Sequence, residues 1–149
     1  SRWWEYNIQE PFIKMLPTNI AASIGLAQLE KIDGLQAFRK VVWDAYQDAF
    51  KDVSWIGRPV EPESHEKHSY FTYVIRVPKR DQLAKYLFDL GIYTTLRYHP
   101  LHLNDLYGSK VHLPNSEVLN EDSLSIPLHP NLTMEQVGFI IESIKAFDI

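Results

Sequence analysis

TNIAASIGLAQLEKID, residues 18–33, is the stretch on which the reading of the chain turns. Thr18 and Asn19 are helix-capping residues. Ile20, Ala21, Ala22, Ile24, Leu26, Ala27 and Leu29 follow, and no charge appears before Glu30. The first turns are therefore apolar nearly all round, and a helix of that kind must be surrounded by protein. Ala22, Ser23, Gly25 and Ala27 keep it thin, so neighbouring backbone can approach closely. Gly25 costs about 1 kcal/mol of helix propensity relative to Ala, which close packing would explain. The helix is expected to be a domain's central strut or a subunit contact. Its stop is expected at Asp33-Gly34.

Outward from this helix, the composition fits one folded domain. The 149 residues suffice for a sizeable core, and 45% hydrophobic residues exclude a disordered chain. The net charge of −4, without a basic stripe, does not point to nucleic acid or an anionic membrane. No cysteine is present, which removes disulfides, thiolate metal sites and cysteine catalysis and fits a reducing compartment. No apolar run approaches membrane-spanning length and no signal peptide is visible, so the expected location is cytoplasmic. Trp3, Trp4 and Tyr6 crowd the first residues. Such aromatics want burial, either on the same domain or against protein beyond this segment.

In chain order, Pro11 and Pro17 make residues 1–17 an irregular lead-in. After the first helix, Leu35, Phe38, Val42, Ala45 and Ala49 fall at helical spacing, giving a long bent helix or a helical hairpin. Residues 51–67 read as loop, with a short strand possible at 53–56. Residues 69–77 read as a strand, with Phe71, Tyr73, Ile75 and Val77 on one face. Asp81 can cap a helix striped by Leu83, Tyr86, Leu87 and Leu90 and closed by Gly91. Residues 92–98 read as another strand, so this part suggests a split β-α-β unit. Asn115 can cap a helix over 116–123, and Pro127 makes 124–128 an edge strand or extended loop. Thr133-Met134-Glu135-Gln136 is a capping box for a last helix carrying Val137, Ile140, Ile141, Ile144 and Phe147. The fold class is α+β: a long helical lead-in and a small sheet with helices packed on one face.

Three places offer chemistry. His65 and His68 stand three apart, but in a loop with no third ligand near, so no metal site is expected. Arg97-Tyr98-His99-Pro100-Leu101-His102 follows a strand end and joins a fixed cation, a phenol and imidazoles. It suits an anionic or hydroxyl-rich ligand, or else is a proline turn whose rings pack. Lys14 stands alone among Phe12, Ile13, Met15 and Leu16, where it can reach a phosphate or carboxylate or snorkel to solvent. No glycine-rich phosphate loop, serine elbow or paired-carboxylate set is present. The residues alone describe a module without a complete catalytic set.

Longer range, the chain resembles the C-terminal portion of the DegT/DnrJ/StrS-type sugar aminotransferases, which are fold-type I enzymes dependent on pyridoxal phosphate. The matching residues are Asn19-Ile20-Ala21-Ala22-Ser23-Ile24-Gly25-Leu26-Ala27-Gln28-Leu29, Tyr46, Gly91-Ile92, and Tyr98 with Pro100-Leu101-His102. They continue through Leu113-Pro114-Asn115-Ser116-Glu117, Ser125-Ile126-Pro127-Leu128-His129-Pro130 and Leu132-Thr133. The resemblance implies that residues 1–149 form the small C-terminal domain, with 18–50 as the interdomain helix. The larger domain, with the Schiff-base lysine and most of the phosphate contacts, would lie outside this chain. It also implies a homodimer, amino transfer from glutamate to a nucleotide-linked keto-deoxysugar, Lys14 on the cofactor phosphate, and Arg97, Tyr98 and His102 lining the sugar-nucleotide pocket. No catalytic residue is assigned within this chain. One departure stands out: where the family reads close to Gly-Tyr-Asn-Tyr-Arg-Met, this chain reads Phe12-Ile13-Lys14-Met15-Leu16-Pro17, and Leu16 cannot form a side-chain hydrogen bond. The competing expectation is a non-catalytic dimerisation module or an inactive divergent homologue.

Overall fold

A computed structural model describes residues 16–95 and 98–148. The expected lead-in, the aromatic cluster at Trp3 and Trp4, Lys14 and Arg97 lie outside those residues. The chain divides into two units, Ser1–Asp33 and Gly34–Ile149.

In the first unit, α1 spans Asn19–Leu29, and the Thr18 side chain accepts a hydrogen bond from the Ala21 amide at 3.1 Å, as its capping role requires. The Ser23 hydroxyl donates back to the Asn19 carbonyl at 2.8 Å. None of its residues is buried; Ile20, Ile24, Leu26 and Leu29 are all exposed. The expected stop at Asp33-Gly34 is displaced. The break falls at Glu30 and Lys31, and α2 runs Ile32–Phe50. Gly34 does not adopt the left-handed backbone that would end a helix, and Asp33 sits in the first turn of α2, where a negative charge is favourable.

The second unit holds the core. Along α2 the expected stripe is rotated. Val42, Trp43, Tyr46, Gln47 and Phe50 are buried, whereas Phe38, Ala45 and Ala49 are partly buried at the margin. The large rings decide this, because they carry most apolar area. Trp43 packs on Tyr73 with ring centroids 4.8 Å apart, and Tyr46 on the same ring at 5.0 Å.

Strand β1 is Tyr73–Arg76 and pairs antiparallel with β2, Ser123–Ile126, in the register Tyr73↔Ile126 to Arg76↔Ser123. The expected strand at 69–77 is shorter because Tyr70 takes φ +47°, which breaks an extended backbone, and Phe71 is exposed. Pairing on the outer side of β1 falls on Gly57, not on 53–56. Gly57 and Arg76 exchange two backbone hydrogen bonds of 2.8 Å, and a Cβ on Gly57 would stand 3.1 Å from that of Arg76. Beyond β2, Thr95 and Ser125 exchange hydrogen bonds of 3.0 and 2.8 Å. Within the described residues the expected strand at 92–98 is this single bridge. β2 is therefore flanked on both sides and is no edge strand. Pro127 follows its last residue and costs the ladder nothing.

Tyr73, Ile75, Leu124 and Ile126 share one face and enter the core. Leu83 and Leu87 join them from α3, Arg80–Asp89, and Val137, Ile140, Ile141 and Ile144 from α5, Met134–Lys145. α3 follows Lys79 at φ +51°, and Asp81 pairs with Arg80 at 2.6 Å instead of capping. Gly91 closes α3 as expected. It takes φ +79° and donates to the Phe88 carbonyl at 2.9 Å, while Ile92 donates to that of Leu87 at 2.8 Å. α4, Pro114–Asp122, begins on Pro114, one residue before the expected cap. The capping box of α5 is present in both directions. The result is the α+β architecture expected from the sequence.

Candidate functional site

The residues singled out by sequence separate in the structure. His68 packs its ring on Trp43 at 4.9 Å and on Tyr70 at 4.8 Å, and its Nδ1 accepts from the Tyr70 amide at 3.1 Å. His65 is exposed beside Glu63 at 3.5 Å. The pair is thus divided between an aromatic cluster and a solvated loop. Among the described residues no group of three or more His, Asp or Glu is arranged to hold a metal ion.

Tyr98 is 75% exposed at the start of the turn segment. Pro100 is buried and breaks the extended run. Two short 3-10 turns follow, Leu101–Leu103 and Asp105–Tyr107, the second capped by the Asn104 side chain on the Leu106 amide at 3.0 Å. His102 alone turns inward, with its side chain 9% exposed. Its Nε2 lies 3.0 Å from Glu117 Oε1. The same carboxylate accepts from the Leu113 amide at 2.9 Å and meets His112 Nδ1 at 2.9 Å. The His102 hydrogen bond, followed by that of the Leu113 amide, holds the Glu117 carboxyl below its ordinary value. The sequence pattern assigns Glu117 no role and does not mark His112. His102 and Glu117 are 15 residues apart, beyond the reach of any periodicity signal. The i,i+4 spacing of Leu113 and Glu117 was the one local clue.

A cavity of about 590 Å³ opens beside the outer bridge of the sheet. Phe71, Tyr93 and Phe139 give it aromatic walls, and Thr95, Ser125, His129 and Gln136 its polar groups. The Ser125 hydroxyl is buried without a hydrogen-bond partner. Among the described residues no lysine, arginine or carboxylate lines the cavity. These described residues by themselves therefore do not fit pyridoxal phosphate, whose phosphate needs cations or a nest of amides and whose aldehyde needs a lysine.

The DegT/DnrJ/EryC1/StrS aminotransferase family matches residues 6–145. Among curated relatives, the dTDP-4-dehydro-2,3,6-trideoxy-D-glucose 4-aminotransferase of Saccharopolyspora spinosa is 29% identical over 147 residues, covering 97% of this chain and 38% of the relative. The crystal structure of aminotransferase TlmJ from Streptoalloteichus hindustanus superposes with a TM-score of 0.90 and 33% identity, over 97% of this chain and 40% of that one. Spr1654 from Streptococcus pneumoniae, described as a sugar aminotransferase and solved in a PLP form, gives a TM-score of 0.85 and 31% identity over 95% of this chain and 38% of that one. The fold is thus the small α+β fold shared with fold-type I sugar aminotransferases. The chain belongs to the DegT/DnrJ/EryC1/StrS aminotransferase family. It spans about two fifths of the length of these relatives.

Proposed function

We propose that this chain is the C-terminal, small-domain portion of a pyridoxal-phosphate-dependent aminotransferase that moves an amino group from glutamate to a keto carbon of a nucleotide-linked deoxysugar. The family match through residues 6–145 carries the reading. The dTDP-linked sugar in the name of the Saccharopolyspora relative supports the substrate class. In this reading residues 18–50 connect to a larger domain that supplies the Schiff-base lysine and most of the phosphate contacts. The cofactor acts as the electron sink, and the protein positions it. Lys14 contacts the cofactor phosphate across a homodimer, and Arg97, Tyr98 and His102 belong to the sugar-nucleotide side. The apolar, exposed surface of α1 supports a subunit or interdomain contact. The proposed location is cytoplasmic; among the described residues no helix is long and apolar enough to cross a membrane.

The reading frame extended upstream tests this. It should encode a large α/β domain with a cofactor lysine, and the purified full-length protein should show the visible absorbance of lysine-bound pyridoxal phosphate. That band should vanish when the lysine is replaced. A full-length protein without such a lysine refutes the reading. Lys14→Ala should weaken cofactor retention, and unchanged retention would remove Lys14 from the phosphate site. A non-catalytic dimerisation module is the second reading, favoured by a cavity that no cation lines among the described residues. It predicts self-association with no cofactor absorbance.

A further inference from the structure

The segment between the two 3-10 turns and α4 has almost no core of its own. Every residue from 103 to 115 is exposed, and Leu106 is 84% exposed. Apolar burial cannot fix a loop of that kind. Among the described residues, one carboxylate joins its two ends. Glu117, a quarter exposed, holds the His102 ring at one end of the segment and the His112 ring and Leu113 amide at the other. An ionised carboxylate only accepts, so each nitrogen facing it carries a hydrogen. In neutral His102 this selects the Nε2–H tautomer and leaves Nδ1 as an acceptor.

We infer that Glu117 is a positioning residue: its carboxylate clamps both ends of the 101–113 segment and thereby sets the shape of the sugar-nucleotide side of the site. The inference rests on the reading above that the Tyr98–His102 turn faces the substrate. Glu117 touches no substrate itself and acts through His102 and the loop. Without the clamp the segment keeps its 3-10 turns and the Leu113 carbonyl's bond to the Glu117 amide but loses the side-chain tie between His102 and α4, so it samples conformations that do not fit the ligand.

Lys110 makes this testable, since it gives trypsin a cleavage site inside the clamped segment. The full-length protein and its Glu117→Ala, Glu117→Gln and Glu121→Gln forms are compared. Glu121 is exposed on the same helix and serves as control. Native-state cleavage after Lys110 should rise about tenfold or more in Glu117→Ala, less in Glu117→Gln, which keeps one acceptor, and not in Glu121→Gln. KM for a keto sugar nucleotide should rise in the same order by about tenfold, with kcat and the glutamate half-reaction within about twofold of wild type. Faster cleavage with an unchanged KM makes the clamp purely structural and overturns the inference. Unchanged cleavage overturns it outright. Matching far-UV spectra exclude general unfolding of the variants. A wild type that binds no cofactor defeats the aminotransferase reading and the substrate half of this inference together. Wild-type transamination with variants indistinguishable from it defeats the clamp alone.

Discussion

Two buried tyrosines in ring contact should respond oppositely to loss of their hydroxyls. Tyr46 and Tyr73 are both fully buried, with ring centroids 5.0 Å apart. The Tyr46 hydroxyl donates to the Pro127 carbonyl at 2.8 Å, and burial pushes its pKa well upward, so it stays a donor throughout the working pH range. The Tyr73 hydroxyl is buried without a partner. Tyr46→Phe removes one neutral hydrogen bond, worth about 1 kcal/mol net, and strands an acceptor whose residue is only half-buried, so partial hydration limits the added penalty. The sum is about 1.5 kcal/mol. At this size that lowers Tm by about 4 °C and the urea midpoint by about 0.5–1 M. Tyr73→Phe removes a group that was desolvated without compensation, so it should be neutral or raise stability, within about 1 kcal/mol. Urea unfolding followed by far-UV circular dichroism measures both, with unchanged m-values required. Equal losses in the two variants would refute the reasoning, because the partner of Tyr46 would then carry no energy.

The Glu117 carboxyl is held below its ordinary value of 4.5, so its stabilisation is present above that pH and is lost as pH falls through the lower folded-state value. The Tm difference between wild type and Glu117→Gln should be open at pH 7 and narrow below about 4.5; a constant difference would show that the clamp carries no charge-dependent stability. Gly91→Ala should cost about 1 kcal/mol through its left-handed backbone alone, since an added Cβ meets nothing within 4 Å. Gly138→Ala, in ordinary backbone inside α5 and equally unobstructed, should instead raise stability by about 0.5–1 kcal/mol, so thermal melts of the two must move in opposite directions.

What the sequence made legible was local. The Thr133–Gln136 box, the apolar stripe of α5 and the Gly91 stop are written within a few residues of one another, and each appears where its pattern places it. What escaped depended on partners far along the chain. Tyr70 is a good strand former, yet its positive φ delays the start of β1 to Tyr73 while its ring packs on Trp43. The inner position of β2 came from Thr95, 30 residues upstream, and no feature of residues 123–126 announces a neighbour on each side. The buried face of α2 differs from the expected stripe because small alanines at good spacing resemble a core stripe, whereas the aromatics take the centre. The Pro100-Leu101-His102 turn was marked for chemistry by its residue types. That its histidine would face a glutamate and not open solvent was not legible, since nothing in its own neighbourhood supplies the carboxylate.

The residues that carry the family resemblance have a common physical role in the second unit: they tie distant segments together. Tyr46 of α2 reaches the carbonyl of Pro127 after β2. His102 reaches Glu117 at the head of α4. Ser125 exchanges both backbone hydrogen bonds with Thr95, four residues beyond the Gly91 turn. Each link joins one quoted motif to another, or to its immediate neighbourhood, across a gap too long for local propensity to specify. Where a side chain makes the link, as Tyr46, His102 and Glu117 do, replacing it leaves a desolvated partner, which costs more than an ordinary surface change. That asymmetry gives these motifs a structural role independent of any catalytic one. What these residues preserve is the frame that carries the Tyr98–His102 turn, and the reacting groups can come from elsewhere.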